Sequence, residues 1–148
     1  MEIERKFTVK SIPDNLTSYP SHKLEQAYLC TSPVVRVRKE DDTYYLTYKG
    51  KGFLVREEAN LPLTEEAYLH LKEKADGLVI TKERFLIPYE DRYTIELDIF
   101  APPLEPLVLA EVEFQTEEEA LAFQPPHWFD KDVTNDPSFT NSQLSKMF

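Results

Sequence analysis

The chain opens on residues that could do chemistry: Glu2-x-Glu4-x-Lys6. In a strand, side chains alternate between faces, so Glu2, Glu4 and Lys6 point one way while Ile3 and Phe7 point the other. Two carboxylates two residues apart lie roughly 6 to 7 Å from each other, close enough to flank one divalent cation. The same residues would also suit a solvated edge strand, so the neighbouring segments have to decide.

They repeat the pattern with period two. Arg36 and Arg38 share a face opposite Val35 and Val37, and Lys49 lies opposite Leu46 and Tyr48. Arg56, Glu58 and Asn60 lie opposite Val55, Ala59 and Leu61; Lys82 and Arg84 lie opposite Val79, Phe85 and Ile87. Glu96 and Asp98 oppose Ile95, Leu97 and Ile99, and Glu111 and Glu113 oppose Ala110, Val112 and Phe114. The polar faces thus carry seven acids and seven bases, with the signs largely segregated by strand. Like charges at i and i+2 repel, so something of opposite sign should lie between them. Arginine forks and lysines suit a chain of phosphates. Neighbouring carboxylates suit Mg²⁺ or Mn²⁺, hard ions that commonly bridge protein oxygens to substrate phosphates.

The elements that must position these groups are mostly strands. Beyond the first, strands are expected over Lys23 to Thr31, Val34 to Lys39, Tyr44 to Lys49, Phe53 to Leu61, Leu78 to Ile87, Arg92 to Phe100 and Leu107 to Phe114. Thr64-Glu65-Glu66 starts a helix, with Lys72 and Lys74 near its end and Gly77 just past it. Thr116 and Glu119 form a capping box for a second helix that must stop by Pro125-Pro126. The tail from Asp130 is polar and ends in a helix from Ser138 to Met147. Two or three short helices cannot cover so many apolar strand faces if the charges simply point outward. A barrel with charges lining a wet lumen and apolar outer faces under the helices resolves this, whereas a dry core holding these charges would be prohibitive.

A length of 148 residues with 41 % hydrophobic residues fits one domain, spanning 1–148. The net charge of −10 opposes general binding to nucleic acid or an anionic membrane. Cys30 is the single cysteine and is read as a packing residue; a cytoplasmic location is expected, with no membrane span and no room for a signal peptide before Glu2. His22, His70 and His127 have no carboxylate or cysteine partner at a readable spacing and are read as surface or structural.

At these residues the sequence resembles the CYTH superfamily, the triphosphate tunnel metalloenzymes. Glu2-x-Glu4-x-Lys6 stands at the N-terminus, followed in order by Arg36-x-Arg38, Lys49, Arg56-x-Glu58, Lys82-x-Arg84, Glu96-x-Asp98 and Glu111-x-Glu113. The resemblance implies a mainly β, α+β fold: a closed eight-stranded antiparallel barrel around a charged tunnel, with a few short flanking helices. It implies metal-dependent hydrolysis of a triphosphate, with short members of this size most similar to inorganic triphosphatases acting on tripolyphosphate. Class IV adenylate cyclase, nucleoside or thiamine triphosphatase, and a non-catalytic polyphosphate- or nucleotide-binding module stay open as alternatives.

On this reading Lys6, Arg36, Arg38, Lys49, Arg56, Lys82 and Arg84 hold the substrate. Glu2, Glu4, Glu58, Glu96, Asp98, Glu111 and Glu113 hold one or two Mg²⁺ or Mn²⁺, one neutralising phosphate charge and a second activating a water. Lys6 or Lys82 steers that water or stabilises the leaving oxygen. Tyr28 resembles a recurrent family position and either gates the tunnel or packs. The chain departs from the family pattern in two places. Asn60 stands where many members have a second acid, and the closing segment from Thr134 to Asn141 lacks the basic residue often found there, so no substrate contact is assigned to it. Exposed apolar strand faces leave room for a homodimer.

Overall fold

The computed structural model describes residues 1–147. Its strands are β1 (Glu2–Val9), β2 (Ser21–Thr31), β3 (Val34–Glu40), β4 (Thr43–Lys49), β5 (Val55–Arg56), β6 (Glu58–Pro62), β7 (Asp76–Tyr89), β8 (Tyr93–Phe100), β9 (Val108–Glu113) and β10 (Phe129–Asp132). All pairings are antiparallel, in the order β10-β1-β9-β8-β7-β2-β3-β4-β6, with β5 also on β1.

The barrel closes where sequence periodicity reads one strand from Phe53 to Leu61. That stretch breaks at Glu57: β6 pairs with β4 (Lys49 opposite Glu58), while β5 pairs with β1 (Glu2 opposite Arg56). Counting β5 and β6 as one interrupted strand, β1 to β9 make the expected eight-stranded closed barrel. The break lets one segment change neighbours. β10, unread in the polar tail, pairs with the C-terminal half of β1, on the edge whose N-terminal half takes β5.

The apolar faces point outward and are covered. Phe7, Phe85, Ile95, Leu97, Ala110 and Val112 are buried under Ala120 of α2 (Glu117–Ala122) and under Phe123 and Phe129 beyond it. Each large apolar side chain so removed from water contributes about 1.5–3 kcal/mol. Arg5, on the outer face of β1, donates to the carbonyls of Ala120 and Phe123 at 2.8 and 3.2 Å, satisfying the end of α2. Ala27 and Val37 are buried with Tyr68 of α1 (Glu65–Glu73). Both helices start at the threonines expected: Ala67 N–H donates to Thr64 Oγ1 and Glu119 N–H to Thr116 Oγ1, each at 3.1 Å.

The tail is shorter in helix than its sequence suggests. Instead of one helix from Ser138 to Met147 there is a 3₁₀ turn, Pro137–Phe139, and a four-residue α3, Asn141–Leu144. Thr140 and Ser142 use their hydroxyls on local backbone and on each other, which favours turns over a continuous helix. Leu144 packs on Tyr28, Val34, Ile80, Phe100 and Leu109, so the tail fills one end of the barrel with apolar side chains.

Candidate active site

Inside the barrel lies a cavity of about 230 Å³. Twelve of the fourteen charged residues singled out from the sequence line it, Lys82 and Asp98 being the exceptions, and Asn60 joins them. The cause is geometric: alternation along β1, β3, β4, β6, β7, β8 and β9 sends every second side chain inward, and closure points all of them at one space.

Ion pairs order the lumen. Lys49 Nζ lies 3.0 Å from Glu2 and 3.5 Å from Glu58. Arg84 donates to both oxygens of Asp98 at 2.7 and 2.9 Å, and reaches Glu96 and Glu111 at 3.2 Å each. Lys6 Nζ sits 3.5 Å from Glu111 and donates to the Phe139 carbonyl at 3.2 Å. Arg38 donates through Nε and a terminal nitrogen to Gln26 Oε1. Arg56 Nε donates to the Gly50 carbonyl at 3.1 Å, and Asn60 Oδ1 accepts from Thr47 at 2.6 Å. Arg36 is buried, and its Nε has no hydrogen-bond partner among the described residues. A buried guanidinium N–H left open in a polar cavity is a place for a ligand oxygen.

Two residues sit deeper than their faces imply. Lys82 and Asp98 both have side chains with no exposure, and their charges meet at 2.7 Å behind the cavity wall. Sequence period fixes which face a side chain takes but not how far along the barrel axis the open space reaches. Burial, with Arg84 and Arg38 adding to it and Asp98 opposing it, pulls Lys82 down to about 7. Asp98 is held low against burial by Arg84 and Lys82.

The acids differ from one another. Burial works against ionisation of Glu111, yet Lys6 and Arg84 hold it well below the usual carboxylate range. Glu4 is pushed up to about 8, by burial first and then by Glu111 and Glu2. Glu4 stands directly opposite Glu113 in the β1–β9 register, and neither has a cation within ion-pair distance among the described residues. Like charges facing across a ladder are unfavourable unless something positive lies between them. The donor set there is all oxygen, which fits a hard divalent ion. Among the described residues, however, no three acid, histidine or cysteine side chains are already gathered into a metal cluster, because most acids are turned onto lysine or arginine.

Some lumen residues escaped the sequence reading. Glu40 and Tyr45 line the cavity, Tyr45 within 3.5 Å of Arg38 and 3.1 Å of Glu40. Extending the period of β3 by one step from Arg38 and of β4 by two steps from Lys49 reaches both. Gln26, two residues before Tyr28 on the same face, was signalled likewise. Tyr28 does two jobs at once: it is buried in the apolar plug and its edge lines the cavity, its hydroxyl 3.2 Å from Gln26. Thr140, Asn141 and Ser142 also line the cavity, although the tail carried no periodic signal and no contact was expected from it. Outside the lumen, His22 does have a carboxylate partner, Asp41 at 2.6 Å across a turn, and Cys30 is exposed rather than packed, its Sγ 3.0 Å from the Pro33 carbonyl. No helix among the described residues is long and apolar enough to cross a membrane.

The CYTH domain model matches residues 1–125. An inorganic triphosphatase of Nitrosomonas europaea is 38 % identical over 148 residues, covering 97 % of this chain and 96 % of that protein. An inorganic triphosphatase of Acetivibrio thermocellus is 34 % identical over 151 residues, covering 98 % and 93 % respectively. The crystal structure of the inorganic triphosphatase NE1496 is similar to this fold with a TM-score of 0.74 and 34 % identity, covering 100 % of this chain and 96 % of that one. The charged barrel, the order of its motifs and these likenesses lead to one conclusion: the chain belongs to the CYTH domain family.

Proposed function

We propose that this protein hydrolyses inorganic triphosphate to pyrophosphate and phosphate in a reaction that depends on Mg²⁺ or Mn²⁺. The observation that carries the reading is the opposition, across one polar cavity, of Arg36, Arg38, Lys49, Arg56 and Arg84 to Glu2, Glu4, Glu96, Glu111 and Glu113. A tripolyphosphate needs many cationic donors along a short chain, and the lumen supplies them; among the described residues Val34 is the single aliphatic one in its lining, too little for an apolar base pocket. The curated relatives named inorganic triphosphatase support the same substrate.

In this reading Arg36 and Arg38 grip phosphate oxygens, Arg36 through the open Nε and Arg38 while braced by Gln26. Lys49, Arg56 and Arg84 complete the cationic wall. Lys82 and Asp98 act from behind it, Asp98 fixing Arg84 and Lys82 holding Asp98. Glu4, Glu111 and Glu113, assisted by Glu2, Glu58 and Glu96, would hold the metal. Bound there, Mg²⁺ or Mn²⁺ would neutralise phosphate charge and make water a better nucleophile near neutral pH. Water attacks the terminal phosphorus in line, the bond to the bridging oxygen breaks, and pyrophosphate leaves. Lys6, held between Glu111 and the Phe139 carbonyl, donates to the oxygen that leaves.

Phosphate release should be measured from tripolyphosphate, ATP and thiamine triphosphate, each with Mg²⁺, with Mn²⁺ and with a chelator. Metal-dependent release, fastest from tripolyphosphate, is expected. Faster release from ATP or thiamine triphosphate would move the substrate to a nucleotide or thiamine ester, and no release from any of them would leave a binding module.

A further inference from the structure

The tail enters the lumen anchored at both ends. Val133 N–H donates to the Lys6 carbonyl at 2.8 Å, Lys6 N–H donates to Thr134 Oγ1 at 3.0 Å, and Leu78 N–H donates to the Ser145 carbonyl at 2.7 Å. Between these anchors, residues 140–142 face the cavity. Thr140 donates its hydroxyl to the Pro137 carbonyl at 2.8 Å and Ser142 donates to Thr140 at 3.3 Å, so neither hydroxyl proton is free for the lumen.

Asn141 differs. Its Oδ1 accepts from Lys82 Nζ at 3.3 Å. Since Lys82 Nζ is the donor and the amide oxygen the acceptor, the NH₂ turns away from Lys82. That NH₂ has no acceptor among the described residues, while the residue lines the cavity. Lys82 has no exposure of its own, so Asn141 stands between this buried cation and the lumen. From 133 to 145 the tail has no Lys or Arg. A neutral donor bonded to a buried lysine thus faces the lumen from the tail.

We propose that Asn141 is a direct substrate contact: its Nδ2 donates to a phosphate oxygen of the bound triphosphate while its Oδ1 is held by Lys82. This rests on the triphosphate reading above and extends it to a segment that the charged motifs do not include. The contact makes the tail part of the binding site as well as the plug of the barrel.

The test compares Asn141→Ala with Asn141→Asp, with Gln143→Ala on the exposed side of the same turn as the folding control. Both kinetics with tripolyphosphate and calorimetric binding of tripolyphosphate under chelator are read, alongside thermal unfolding. Loss of one hydrogen bond to a charged oxygen should lower kcat/KM and metal-free affinity by about tenfold or more in Asn141→Ala. Asn141→Asp keeps an acceptor for Lys82 but removes the donor and adds a negative charge, so it should fall further. If Asn141 merely positions Lys82, Asn141→Asp would pair with it better and stay near wild type, which would overturn the proposal; so would wild-type behaviour of both variants. If the unaltered protein releases no phosphate from tripolyphosphate, the hydrolytic reading fails, and the binding measurement still decides the role of Asn141.

Discussion

Arg36 shows what single residues contribute. Its guanidinium is buried at the cavity wall with an unpartnered Nε, while Arg84, only two strands away through β2 and β7, is saturated by three carboxylates. The first is poised for a ligand and the second is built into the wall. Arg36→Ala should therefore raise KM for tripolyphosphate about tenfold or more with a smaller change in kcat, and Arg36→Lys should recover only part of the loss, because a point charge cannot reproduce the fork. Steady-state kinetics checks this, and an unchanged KM in both variants would remove Arg36 from the substrate site. From sequence, Arg36 and Arg84 read alike: each is one of two bases spaced i, i+2 on a strand face. Their difference lies in which carboxylates fold next to them, as at Arg84 with Glu96 and Asp98 from β8 and Glu111 from β9.

At the scale of elements, the strands that carry charge were legible because period two leaves a mark on both faces. The break at Glu57, the added β10 and the entry of the tail were not. Each depends on which neighbour offers an open edge after closure, and no local pattern encodes that. Gly77 marks where the tail is received. Its φ is +71°, and a Cβ there would clash with the Ser145 carbonyl oxygen, the acceptor for Leu78 N–H. Gly77→Ala should destabilise the fold by about 1–3 kcal/mol through the left-handed backbone and the clash. It should also lower activity, since the displaced segment carries the cavity-facing turn of residues 140–142. Thermal unfolding and limited proteolysis read the first effect; cleavage within residues 134–147 should accelerate, and an unchanged melting temperature would mean that the tail is not docked as described.

At the scale of the molecule, charge is partitioned. With Glu40, the inward strand faces hold eight acids and seven bases of the 27 acidic and 17 basic residues, so the remaining 19 and 10 account for −9 of the net charge of −10. The interior is nearly balanced and the exterior acidic, an arrangement that concentrates divalent cations around the protein and makes binding of a polyanion depend on the lumen alone. The inside-out barrel was readable because too few helices were available to cover apolar faces turned inward. The depth of Lys82 and Asp98 was not, because the open space ends where the tail packs. The most direct test of metal-dependent triphosphate chemistry in this lumen is phosphate release from tripolyphosphate by Glu4→Gln and Glu111→Gln, with thermal unfolding to show that each variant folds. Both substitutions keep shape but replace a carboxylate that can ligate the ion by a neutral amide, so metal-stimulated release is expected to fall to background in each. Near wild-type, metal-dependent turnover in both folded variants would contradict the assignment.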